Sequence, residues 1–189
     1  MNAVSFAPRL LATSAAVAAT AALGSAATVP AVDSARYQRL EKPPWQPPAQ
    51  AFPIVWTALY AVIAGASASA LTSLARQRTR AESREAARVP VRGPRRSPAQ
   101  LLRRRSRRLR LALGVNLALN AGWCWTFFRA QRRDLAVLNA AALTISSADL
   151  AHRAGAARRG AGAALVPYAV WCGFATALSA SIARRNPQG

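Results

Sequence analysis

Aromatic rings and uncharged amides are the side chains whose spacing in this sequence could do chemistry. Phe52, Trp56 and Tyr60 recur at i, i+4 and i+8, with Ile63 next, so they share one helix face. Asn116, Asn120, Trp123 and Phe127 share a face of a second helix. Tyr168, Trp171, Ala175 and Leu178 form a stripe on a third. Ahead of the first face, Pro43, Pro44, Pro47 and Pro48 fix the backbone and forbid regular helix, with Trp45 among them. Pro53 then fits the first turn of a helix, where no N–H partner is lost. A stiff cap over inward-facing rings suits a concave apolar site for a flat ligand, oriented by a few polar groups. The same rings also read as an interfacial belt anchoring membrane helices, and the amides as simple interhelical bonds. Acid–base, metal and thiol chemistry have no motif here. His152 is a lone histidine, Cys124 and Cys172 sit in apolar runs without metal or redox spacing, and there is no glycine-rich phosphate loop.

The elements that must carry these faces are membrane spans. The chain has 189 residues, a net charge of +20 and a mean hydropathy of only +0.10. That average hides a segregation, because 14 of the arginines lie between Arg76 and Arg110. Elsewhere apolar runs close to a bilayer-spanning length of ~20 residues follow one another. They predict spans over 10–32, 52–74, 109–128, 135–151 and 161–183. The first also reads as a signal peptide, with Arg9 before it and small residues at 24–26, but its length favours a span. The expected fold class is an all-α membrane protein, a five-transmembrane-helix bundle forming one domain over 1–189.

Charge fixes the expected orientation. With five spans, the N-terminus and the second and fourth loops share a side carrying 18 basic residues, against eight on the other. The positive-inside rule places the N-terminus in the cytoplasm and the proline cap outside. The arginine-rich segment 76–108 is broken by Pro90, Gly93, Pro94 and Pro98. Its centre is expected to be disordered and its ends to extend the flanking helices. It reads as a topogenic, lipid-touching loop with an anionic lipid as partner; no aromatic residue is interleaved, so nucleic acid is not expected. Gly114, Ala118, Ala121 and Gly122 form a small-residue ridge suited to tight helix pairing. Asp149 is placed to pair with Arg153 one turn on.

The motifs together resemble the TspO/MBR family of tryptophan-rich sensory and translocator proteins. Three carry the match. The first is Tyr37, Leu40, Lys42-Pro43, Trp45, Pro47-Pro48, Phe52-Pro53, Val55-Trp56 and Leu59-Tyr60. The second is Leu119-Asn120, Trp123 and Phe127-Phe128. The third is Pro167-Tyr168, Trp171, Phe174-Ala175 and Leu178, with Asn186 beyond. The resemblance implies a dimeric five-helix bundle in a bacterial cell membrane, with Gly114, Ala118 and Gly122 at the dimer interface. It implies no obligatory cofactor, but porphyrin or haem as ligand in a pocket under the first loop. Tyr37, Trp56, Asn120, Trp123, Trp171 and Ala175 would contact that ligand, and Trp45 would hold the cap. Light- and oxygen-dependent porphyrin breakdown, or porphyrin transport, are the alternative activities. The chain departs from the family pattern at Arg36, Leu135, Ser179 and Ala180, and the last removes the sterol-recognition pattern.

Overall fold

The computed structural model describes residues 4–87 and 97–187. Its helices are α1 (Ala7–Val32), α2 (Ala35–Gln38), α3 (Ala51–Ala86), α4 (Pro98–Cys124), α5 (Arg133–Ala157) and α6 (Arg159–Arg185). A single π-helical turn, Trp125–Arg129, extends α4. Five of these helices are long and apolar enough to cross a membrane: α1, α3, α4 with its π turn, α5 and α6. No strand occurs among the described residues.

Each span falls where the apolar runs predict it, but every helix is longer than its run. The largest difference is at the arginine-rich side. There α3 continues to Ala86 and α4 begins at Pro98, capped by the Ser97 hydroxyl accepting from the Gln100 N–H. Arginine is a good helix former and its charge is solvated outside the membrane, so the helices persist past the lipid. The expected disordered centre of that segment lies outside the described residues. A second difference is α2, a single turn in the first loop capped by Ser34, whose hydroxyl accepts from the Tyr37 N–H at 3.2 Å. Pro167 lies inside α6, which starts at Arg159.

Small residues set the helix spacing. Ala64, Ala66, Ser67, Ala68 and Ala70 of α3 are all buried. On α1, the Thr13 hydroxyl reaches the Ala64 carbonyl at 2.9 Å. Two helices joined through Arg158 alone, α5 and α6, approach closely. A Cβ placed on Gly162 would stand 2.5 Å from the Gly155 Cα and 2.8 Å from the Ala151 carbonyl oxygen. The predicted Asp149–Arg153 pair is present at 2.6 Å.

Candidate functional site

Rings from α3, α4 and α6 converge at the end of the bundle under the proline loop. On α3, Trp56 lies 5.6 Å from Tyr60 and 6.4 Å from Tyr168 of α6, centroid to centroid. Phe52 meets Trp171 edge-on at 6.1 Å, and Trp171 lies 5.1 Å from Phe174. A second group sits beside the first. Trp123 stacks on Phe127 at 5.3 Å, and Phe128 packs edge-on against both. Tyr37 of α2 covers Phe128 at 5.6 Å. Phe52 and Phe174 also pack into this second group with Leu178 and Ile182, so the two groups are continuous.

Beneath the rings runs a chain of buried hydrogen bonds. The Tyr60 hydroxyl donates to Asn120 Oδ1 at 2.8 Å. Asn120 Nδ2 donates to the Tyr168 oxygen at 3.4 Å, and the Tyr168 hydroxyl donates to Asn116 Oδ1 at 2.8 Å. Asn116 Nδ2 donates to Ser147 Oγ at 3.0 Å, and Ser147 donates to the Leu143 carbonyl at 2.7 Å. Asn116, Asn120, Ser147 and Tyr168 are all buried. With no water in the hydrocarbon, polar groups must satisfy one another, and this chain links α3, α4, α5 and α6 through a single set of donors. Trp123 Nε1 finds Ser179 Oγ at 3.2 Å. The indole nitrogen of Trp171 is different: it is fully buried and has no hydrogen-bond partner.

The cap is latched down. Trp45 lies edge-on to Phe174 at 5.8 Å, and Lys42 Nζ sits 4.5 Å over the Tyr37 ring. Asn186, just past α6, accepts from the Glu41 N–H and donates to the Glu41 carbonyl, both at 3.0 Å, while its own carbonyl accepts from Arg133 at 2.9 Å. One asparagine thus ties the cap to α5 and α6. Asn186→Ala removes both bonds to Glu41, and amide hydrogen exchange at Glu41 should speed up about tenfold. Exchange as slow as in the parent would show that Trp45 and Lys42 hold the cap alone. Burial pushes the Tyr37 phenol above its usual pKa, so it stays neutral and able to donate at physiological pH.

The structure brings together Tyr37, Trp45, Phe52, Trp56, Tyr60, Asn120, Trp123, Phe127, Tyr168 and Trp171, with Ala175 half-buried one turn beyond Trp171. Their rings pack against one another, and a cavity at this end, lined by Arg36, Tyr37, Phe127 and Phe128 among others, has a volume of about 30 Å³. The small-residue ridge of α4 splits. Gly114 and Ala118 are exposed, and a Cβ on Gly114 would meet nothing within 4 Å. Gly122 instead turns toward α5, where a Cβ would lie 3.0 Å from the Asn139 amide. That amide, oriented to satisfy both its ends, donates to the Leu119 carbonyl at 2.9 Å and accepts from the Trp123 N–H at 3.3 Å.

Three features escape a reading of the spacing. The π turn is one, closed by the Ala130 N–H to the Trp125 carbonyl at 2.8 Å; such turns concentrate at functional sites. Asn139 is another, visible only as one polar residue in a polar span. Trp125 is the third: it faces outward and donates to the Leu23 carbonyl at 3.1 Å, pinning α1. Leu135, one of the departures from the family motifs, is 42% exposed.

No curated protein matches the sequence significantly. The family model of the TspO/MBR family matches residues 12–185, nearly the whole chain. With its five apolar helices, this integral multi-pass membrane protein belongs to the TspO/MBR family.

Proposed function

We propose that the protein is a membrane receptor for a flat lipophilic ligand of the tetrapyrrole class, held between the aromatic faces of α3, α4 and α6 under the proline cap. The observation that carries this reading is the Trp171 indole N–H, buried among rings with no acceptor. An unmet buried donor costs about 1–3 kcal/mol, so a ligand acceptor arriving there gains more than one displacing water. The surrounding rings supply the stacking surface that a planar macrocycle needs. Arg36 of α2, beside the small cavity, and Arg39, which ends that turn, suit peripheral carboxylates.

The ligand must make its own room. A site for a drug-sized molecule needs roughly 300 Å³ or more, well above the present cavity. Binding therefore separates Phe52, Trp171 and Phe174 and loads the cap through Trp45. That coupling gives a receptor its output, since occupancy and cap position become linked. Titrating detergent-purified protein with protoporphyrin tests the reading. A saturable shift of porphyrin absorption with quenching of tryptophan emission is expected. A linear response matching empty micelles would remove the receptor.

A further inference from the structure

A second concavity lies at the opposite end of the bundle, between α1, α3 and α4. It has a volume of about 710 Å³. Five arginines line it: Arg9 of α1, Arg78 of α3, and Arg103, Arg107 and Arg110 of α4. No carboxylate lines it among the described residues. Glu82 meets Arg103 at 3.0 Å and Arg78 Nε at 3.6 Å, so among the described residues one of the five charges is offset. Arg78 Nε is buried without a hydrogen bond.

The lining is graded along all three helices in the same sense. Moving from Arg9 into α1, the wall becomes Ala12, Thr13 and Ala16, with the Thr13 hydroxyl spent on the Ala64 carbonyl. Moving back along α3 from Arg78, it becomes Ala75 and Leu71. Moving along α4 past Arg110, it becomes Leu113. One end is cationic and the other apolar, and the direction of change runs from the helix ends into the membrane. A soluble anion would use only the first half of this groove, and a neutral lipid tail only the second.

We propose that this groove is a binding site for an anionic phospholipid drawn from the leaflet on the arginine side. The phosphate lies among the five guanidinium groups, which fit phosphate oxygens bidentately. An acyl chain runs down the apolar wall toward Leu71 and Leu113. The site is distinct from the aromatic cluster and does not depend on the tetrapyrrole reading. Basic recesses between membrane helices are where anionic head groups are recognised generally.

The experiment compares two variants with equal loss of charge. One is Arg78→Gln/Arg107→Gln/Arg110→Gln inside the groove. The other is Arg76→Gln/Arg80→Gln/Arg104→Gln on exposed positions outside it. Lipid binding to detergent-purified protein is titrated by native mass spectrometry with dioleoyl phosphatidylglycerol, dioleoyl phosphatidylcholine and water-soluble glycerol 3-phosphate. The parent should prefer phosphatidylglycerol. At about fivefold per guanidinium, the groove variant should lose on the order of 100-fold in affinity, and the outer variant only a few-fold. Ala16→Trp, which fills the apolar half without changing charge, should also weaken binding about tenfold. Equal loss in the two triple variants would overturn the proposal in favour of general surface attraction. So would equal binding of phosphatidylcholine, competition by glycerol 3-phosphate at matching concentration, or displacement of the lipid by protoporphyrin.

Discussion

Gly162→Ala is expected to lower the thermal unfolding midpoint in detergent by about 10 °C, from roughly 3 kcal/mol of overpacking. The added methyl would fall 2.5 Å from the Gly155 Cα and 2.8 Å from two further backbone atoms. All the obstructing atoms are backbone, so no side-chain rotation relieves the clash. The two helices must separate, and with only Arg158 between them the hairpin has no slack. Separation would also disturb the Thr144–Thr176 hydroxyl contact at 2.9 Å. Gly65→Ala supplies the contrast, since nothing lies within 4 Å of a Cβ there. In the interior of α3 it should be neutral or stabilising by up to about 1 kcal/mol. If the two variants unfold together, the glycine contact does not set the α5–α6 distance.

The second large effect is expected at Asn120. Asn120→Leu keeps the volume and removes both ends of the amide. The Tyr60 hydroxyl loses its acceptor, and Tyr168 loses a donor while keeping Asn116. A cost of about 2 kcal/mol follows, seen as a midpoint lowered by about 5 °C. The partner change Tyr60→Phe removes the stranded hydroxyl. The double variant should therefore regain about half of the loss, which a double-mutant cycle reads directly. Simple additivity would show that the two side chains act independently and that the chain of hydrogen bonds is not a unit. Porphyrin titration of the same variants separates a fold defect from a site defect, because Tyr60→Phe leaves the rings in place.

Much of this arrangement is legible in the residues because membrane burial writes strong periodic signals. The spacing of Phe52, Trp56 and Tyr60 needs only the helical repeat to be read, and the charge block at 76–110 marks one membrane side without any structure. The convergence of Asn116, Asn120 and Tyr168 is less visible. Each residue is polar in an apolar run, but which amide meets which hydroxyl depends on helix rotation that no single run specifies. The Gly155–Gly162 contact lies outside the obvious ridge on α4, because small residues occur throughout this alanine-rich chain. Periodicity therefore cannot tell a packing glycine from an exposed one, as Gly114 and Gly122 illustrate on the same helix. How closely the rings approach one another is the furthest from the sequence. A pattern of inward rings fixes their direction, while whether they enclose space or one another depends on sub-ångström packing of several helices.

The central claim is that a planar ligand parts the rings and meets the free indole N–H of Trp171. The most direct measurement is the dissociation constant for protoporphyrin in the parent, in Trp171→Phe and in Trp125→Phe. Phenylalanine keeps an aromatic surface at each position and deletes only the N–H and part of the ring. Trp125 lies on the outer face, bonded to α1, and serves as the comparison. Trp171→Phe should weaken binding by about tenfold, from the roughly 1–2 kcal/mol carried by one buried hydrogen bond, and Trp125→Phe should leave it unchanged. Equal affinities in all three proteins, or the larger loss at Trp125, would contradict the account.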